Sequence, residues 1–360
     1  MSLIIFILMI TFLFAPISSS KPPHRTTIRH RNLYPESLTY DPSAQHFVVA
    51  SLLPPPTILS VSDASVTTTL LASPSPASLP PNSSFVGLHL DHHTRRLLAV
   101  LRSPSLNALA AFDLRSPPPH PLLSLTPLPP SSSPNDVTSD FSGNAYVTDS
   151  LNNLIYKITP SPNNNNNASV FSKSPAFSSY PIEQDKIYTP CGLNGIVYNG
   201  KGYLLVVQSN TGKMFKVNEQ DGTARTVILN KALTAADGMA VRSDGVVVVV
   251  SHMKAYFIKS DSSWAEGAVF DETALESEGF ASGVAVGGGE RVYVLYGYVD
   301  EGMMGSVGRE EFRIVEVESE KEKKEDAVWI YVMIGLGFAY FCFWRFQMHR
   351  LATNMNKKTS

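Results

Sequence analysis

Cysteine is almost missing from this chain: its 360 residues include two, Cys191 and Cys342, too few to build a disulfide framework. Charge is scarce as well, at 17% of residues against roughly 25% in an average globular chain. The 29 basic and 31 acidic side chains nearly cancel, leaving a formal net charge of −2. Without a basic surplus the chain lacks the electrostatic footprint of a nucleic-acid binder, and no nucleic-acid partner is expected. Helical periodicity is nearly absent between residues 30 and 318. The 26 prolines and 22 glycines point instead to many turns and few long helices.

Long apolar runs are confined to the two ends. Residues 3–14 (LIIFILMITFLF) have the length of a signal-peptide core and are followed by Ser18, Ser19 and Ser20. They fall short of the about 20 residues a membrane span needs, so residues 1–20 are expected to form a cleaved signal peptide. The missing positive charge ahead of the run keeps an uncleaved anchor as the alternative. Residues 327–344 (AVWIYVMIGLGFAYFCFW) are 18 in number and carry no charge, with Trp329, Tyr331 and Trp344 near the ends where amphipathic rings prefer the membrane interface. The stretch 319–326 before them is acid-rich and reads as a solvated stalk, whereas the tail 345–360 carries Arg345, Arg350, Lys357 and Lys358 and no acid. This asymmetry predicts a single C-terminal transmembrane helix, a cytoplasmic C-terminus and a lumenal or extracellular body on the secretory pathway. In that compartment Asn82 and Asn167 stand in glycosylation sequons.

Between the ends one pattern recurs: a short strand, a turn often built on Gly, Asn or Asp, and a second, more apolar strand. It begins at Pro35 (PESLTYDPSAQHFVVAS), Phe85 (FVGLHLDHHTRRLLAVL), Pro134 (PNDVTSDFSGNAYVTDS), Leu193 (LNGIVYNGKGYLLVVQS), Ala236 (ADGMAVRSDGVVVVVSH) and Ala281 (ASGVAVGGGERVYVLYG). The second positions are Glu36, Val86, Asn135, Asn194, Asp237 and Ser282, spaced 50, 49, 59, 43 and 45 residues apart. The longest interval contains an Asn run (163–167) and a loop (173–190), both read as insertions. A period of this size with about four short strands per unit predicts an all-β, six-bladed β-propeller over residues 33–318. The segment near Thr26–His30 is expected to add a closing strand, and the Pro/Ser-rich stretches 52–56, 73–81 and 116–134 to be inter-strand loops.

Equivalent positions in a propeller lie on a ring around its axis, so the second positions should share one mouth of the channel. Four of them, Glu36, Asn135, Asn194 and Asp237, carry carboxylate or amide oxygens, the hard donors that Ca²⁺ prefers. No His or Cys joins them, which argues against zinc. Asn194-Gly195 and Asp237-Gly238 also fit ordinary turn chemistry. Asp149, Ser150 and His252 end the second strands of their units and are expected at the same rim. The Asp91-His92-His93 motif with Arg95 and Arg96 falls in a turn at the opposite end and reads as a solvated loop. GVAVGGGE (283–290) lacks the Gly-Lys-Ser/Thr ending of a phosphate loop.

The PES, PNDV, LNG and ADG motifs at the unit starts resemble those of the senescence-marker-protein/gluconolactonase/regucalcin-like family of six-bladed propellers, over roughly residues 33–318. The resemblance implies that Glu36, Asn194 and Asp237 bind one divalent metal, often Ca²⁺, and that Asn135 is a further ligand or contacts substrate or water. It also implies that Asp237 is the general base in metal-assisted hydrolysis of a lactone or ester. The chain departs from the family at Ser133, where sugar-acid lactonases often carry an arginine, and the His pair of the more distant paraoxonases has no match. Two functions therefore stand: a membrane-anchored Ca²⁺-dependent hydrolase of a small lactone or ester, or a non-catalytic binding ectodomain with a structural metal.

Overall fold

The computed structural model describes residues 22–72, 79–161, 163, 166–178, 186 and 188–356. The expected signal segment 1–20, residues 73–78 of one expected loop, and Lys357 and Lys358 lie outside them. The described body is built from β-strands grouped into antiparallel units of four. The first unit is β2 (Leu38–Asp41), β3 (His46–Ala50), β4 (Thr57–Ser62) and β5 (Thr67–Ala72), and the second is β6 (Ser84–Asp91), β7 (Arg96–Arg102), β8 (Ala108–Asp113) and β9 (Leu122–Pro127). The third is β10 (Pro134–Ser139), β11 (Ala145–Asp149), β12 (Leu154–Thr159) and β13 (Asn167–Ser172), and the fourth is β14 (Leu193–Tyr198), β15 (Tyr203–Gln208), β16 (Lys213–Asn218) and β17 (Ala224–Leu229). The fifth is β18 (Ala236–Val241), β19 (Val247–Ser251), β20 (Lys254–Lys259) and β21 (Glu266–Ala274). A short parallel pairing of β17 with β21 joins the fourth and fifth units into one eight-stranded sheet.

The last unit draws on both ends of the body. Strands β22 (Ala281–Val286), β23 (Val292–Tyr296) and β24 (Glu311–Val317) are completed by β1 (Arg25–Arg29), which pairs with β24 from Arg25↔Val315 to Arg29↔Glu311. The first strands of the units touch in a closed cycle: β2 meets β6, β6 meets β10, β10 meets β14, β14 meets β18, β18 meets β22, and β22 meets β2. This propeller-like cycle surrounds a cavity of about 310 Å³.

Burial follows from this layering. A sheet covered on both faces by its neighbours needs apolar residues in succession, not alternation. Val246 to Val250 are all at most 1% exposed. Between the first and last units Phe47 packs edge-on against Tyr293 with ring centroids 4.8 Å apart, and Tyr34 against Phe312 at 5.4 Å. Part of the Pro/Ser-rich stretch 116–134 is more ordered than its composition suggests, since Leu122–Pro127 supplies the outer strand β9.

The inner strands approach so closely that side chains are excluded at specific points. A Cβ on Gly195 would meet the Asp237 carbonyl oxygen at 2.3 Å, and one on Gly238 the Ser282 carbonyl oxygen at 2.7 Å. These glycines therefore sit within strands, not in turns as Asn-Gly and Asp-Gly pairs usually do, and they let one unit seat against the next.

The Asp91–Arg96 turn lies at the end of the cavity opposite Glu36 and Asp237, but its arginines are committed to the framework. Arg95 donates twice to Asp41 of the first unit, at 2.7 Å for each contact. Arg96 donates to Asp91 at 3.0 Å and to the Gly143 carbonyl of the third unit at 2.9 Å.

After α1 (Val299–Met303), the chain ends in α2 (Glu320–Asn356), a helix long and apolar enough to cross a membrane and not covered by the rest of the protein. The charged stretch before its apolar part is not a separate stalk. Ser319 caps the helix by accepting the Glu322 amide at 3.1 Å and donates to Asp271 at 2.6 Å, while Glu322 pairs with Arg242 at 2.8 Å. Because Val317 pairs with Val292, the helix leaves from the end of the units opposite the ring positions.

Gly195→Ala tests the strand-contact reading. It is expected to cost about 1–3 kcal/mol through overpacking against the Asp237 backbone, measured by chemical denaturation. A cost near zero would return Asn194-Gly195 to an open turn.

Candidate metal centre

Five of the six ring positions carry an oxygen-bearing side chain, and a backbone irregularity brings most of them to the cavity. Strands β10, β14, β18 and β22 each slip register near their starts, between Pro134 and Val137, Leu193 and Ile196, Ala236 and Met239, and Ala281 and Gly283. Asn135, Asn194, Asp237 and Ser282 fall within these slips. An extra residue there breaks the strict alternation of faces and re-aims the side chain. Glu36 precedes β2 and needs no bulge. All five line the same cavity, together with Asp136. Tyr40, Leu90, His92, Tyr198, Val241 and Val286 lie toward the other end, and between the two His89 bonds Ser139 Oγ at 2.9 Å. Burial pushes the His89 imidazole down to about 4, so it is neutral.

The carboxylates share an enclosed space. All three are half-buried on the wall of the cavity. Burial raises Glu36 to about 7; Arg102 opposes the rise and Asp136 adds to it. Burial also raises Asp136 to about 7 against the pull of the Val137 and Ile196 amides, which donate to its oxygens at 2.9 and 3.2 Å. Asp237 is held well above the carboxylate range, first by burial and next by the Glu36 charge; the Asn194 side chain, which also donates to Ser209 Oγ at 3.0 Å, opposes this. Among the described residues none of the three carboxylates forms an ion pair.

Ser282 Oγ adds a second sign of an unfilled requirement, because it is buried without a hydrogen-bond partner. Among the described residues no three His, Cys, Asp or Glu side chains gather tightly enough to form an all-ionisable ligand set. The donors that fit a cation here are therefore mixed: carboxylates, two amides and a hydroxyl, all oxygen, the chemistry of a hard divalent ion.

The expected rim divides on inspection. Asp149 is fully buried and accepts from the amides of Ser133, Leu151 and Asn152 and from Tyr156 Oη, and Ser150 donates to the Leu193 carbonyl at 2.7 Å. Both belong to the framework beneath the ring, because strand ends in this fold carry the bonds that join units. His252 lies against Phe280 with centroids 3.8 Å apart and near Tyr188 at 6.1 Å, and both its ring nitrogens are buried without a partner. Burial lowers it to about 4. Cys191 is a free thiol that burial, with Asp237 and Glu36 beyond it, pushes up to about 11. Asn82 and Asn167 are exposed.

Asp136 and Ser282 also line the cavity, beyond the four donors expected from the sequence. Asp136 carried a signal: it stands where the second, fourth, fifth and sixth units have Gly87, Gly195, Gly238 and Gly283.

The raised carboxylates set a pH dependence. Acids whose folded pKa exceeds the unfolded value bind more protons when folded, so the metal-free protein should lose stability as pH rises from about 4 to about 7. Thermal melts in chelator are expected to give a lower Tm at pH 8 than at pH 5.5, with Ca²⁺ restoring it at pH 8. A Tm that rises over that range would contradict the site's electrostatics.

No family model matches the chain, and no curated protein matches it. Solved structures do. The major allergen Mala s 1 of Malassezia sympodialis superposes with a TM-score of 0.66 at 18% identity, covering 83% of this chain and 97% of the allergen. A gluconolactonase from Xanthomonas campestris gives 0.53 at 15%, covering 83% and 95%. Virginiamycin B lyase from Staphylococcus aureus gives 0.51 at 12%, covering 82% and 99%. At these identities the likeness establishes a β-propeller fold shared with gluconolactonases and lyases, and nothing of the chemistry.

Proposed function

We propose that the protein is a membrane-anchored, divalent-metal-dependent hydrolase of lactones or esters, built as a six-bladed propeller of the senescence-marker-protein/gluconolactonase/regucalcin-like type. The observation that carries the reading is the convergence of Glu36, Asn135, Asn194, Asp237 and the orphaned Ser282 hydroxyl on one cavity, with no side-chain cation paired to the acids among the described residues. A gluconolactonase shares the propeller fold, so the fold accommodates a reaction of this class.

Glu36, Asn194 and Asp237 would hold the cation, Ca²⁺ by the hardness of the donors, with Asn135 beside them. Bound there, it would polarise a substrate carbonyl and make an attacking water more acidic. Asp237 would take the proton of the attacking water and pass it to the leaving oxygen as the carbonyl–oxygen bond breaks. Asn194 steadies the Asp237 carboxylate through its amide. The apolar wall formed by Leu88, Val137, Ile196 and Met239 limits bulk water behind the site.

Helix α2 serves as the anchor. With α2 in a bilayer, its exit opposite the ring points the acidic mouth away from the membrane. The tail residues Arg345 and Arg350 then favour a cytoplasmic C-terminus.

The test is hydrolysis of a lactone and aryl-ester panel by the full chain in detergent. Turnover is expected to vanish in chelator and return with Ca²⁺. Asp237→Asn should lower kcat by about 10²–10⁴-fold, the usual worth of a positioned base. Activity indifferent to chelation, or an Asp237→Asn variant as active as the parent, would overturn the mechanism. Ca²⁺ binding with no turnover across the panel would leave a structural metal in a binding ectodomain.

A further inference from the structure

The turns after the first strands hold equivalent places in the repeat, so they share one height along the axis, at the end opposite the ring. In the fifth unit that turn begins with Arg242, which pairs with Glu322 of α2 at 2.8 Å. In the third it begins with Asp140, and the next residue, Phe141, is 63% exposed. The phenyl group is built into its surroundings. It packs edge-on against His93 of the second unit, with centroids 5.2 Å apart, and against Tyr198 of the fourth at 5.4 Å. It also reaches over the fourth unit's turn, where a Cβ on Gly200 would meet Phe141 Cζ at 3.2 Å. Lys201, exposed in that turn, completes a patch of rings and a cation drawn from three units. Side chains with an apolar body and a polar tip favour the boundary between water and lipid. Asp91 and Asp140, which flank the patch in sequence, are engaged within the protein, Asp91 by Arg96 and Asp140 by Asn144 and Tyr146 Oη.

The length of the tether decides what meets the patch. Helix α2 is continuous from Glu320 to Asn356, and Ser319 and Glu322 fasten its start to the fifth unit. The uncharged run 327–344 begins five residues after Glu322, a rise of about 8 Å. The headgroup layer on each side of a bilayer is about 5–8 Å thick. With the run in the hydrocarbon, the end face of the body is held at the depth of the headgroups. The helix docks on the fifth unit, whereas the patch spans the second to fourth, so the two contacts together oppose tilting.

We propose that this face is a lipid-contacting foot, in which Phe141, flanked by His93, Tyr198 and Lys201, seats in the headgroup layer of the membrane that α2 spans. The proposal rests on the reading of α2 as the anchor and is independent of the metal site.

The experiment uses the full chain with Cys191→Ser and Cys342→Ser, reconstituted in phosphatidylcholine vesicles and carrying one nitroxide at a time, at Phe141→Cys, Lys201→Cys or Leu151→Cys. Leu151, 64% exposed at the ring end, is the control. Flotation in alkaline carbonate reports the anchor, and collision of the label with oxygen against a water-soluble nickel chelate reports depth. Labels at 141 and 201 should sit within about 5–10 Å of the phosphates, and the label at 151 should face water. The contact is apolar, so raising salt from about 0.05 to about 0.5 M should leave both depths unchanged. Adding Phe141→Asp to the Lys201→Cys chain should move its label into water, which proximity enforced by α2 alone would not do. A chain that floats but shows water at 141 and 201 overturns the foot and leaves the anchor standing. So does an unmoved label at 201 after Phe141→Asp, or a depth lost in salt. A chain stripped from the vesicles by carbonate overturns the anchor reading, and the foot with it.

Discussion

Like charges held in an enclosed space repel, and Glu36, Asp136 and Asp237 are such a set. Chain geometry compels their proximity. The inner strands come together only because glycine stands at Gly195 and Gly238, where any Cβ would strike the neighbouring backbone. Seating the strands this closely brings the ring positions together, and the register slips turn their side chains inward. The folded chain therefore accepts an electrostatic penalty at its axis in exchange for tight apolar packing between units. The penalty is relieved by protons, by amides such as those of Val137 and Ile196, or by a cation.

The strand–turn–strand repeat was readable in the sequence because apolar residues recur in short runs with a punctuated turn between them, and that signal survives loops of unequal length. Glu36, Asn135, Asn194 and Asp237 could be gathered in thought because they hold one column of the repeat. What periodicity could not show is contact between units. Arg102 reaches Ser133 of a neighbouring unit from the same register that Ser150 and His252 hold in their own units. Asp136 lies one residue beyond the column, so simple alternation sends it to the other face; the bulge brings it back to the cavity. Asp149 and Ser150 were misplaced for a related reason: the ends of the second strands carry the bonds that tie one unit to the next.

At the C-terminal end, composition alone misled. Mixed charges over 319–326 suggested a solvated stalk, but Ser319 and Glu322 stand three apart in the spacing of a helix cap. Their bonds to Asp271 and Arg242 dock the first turn of α2 to the fifth unit. The helix thus begins in contact with the body.

The pairing of β1 with β24 has a mechanical consequence. Arg25 lies opposite Val315, so His24 and Glu316 stand side by side at the same end of an antiparallel ribbon. Tension applied between the two termini loads that ribbon as a zipper and parts it one rung at a time from Arg25 toward Arg29. Thermal motion meets a sturdier clasp, because all the rungs and the buried Ile28 must let go together.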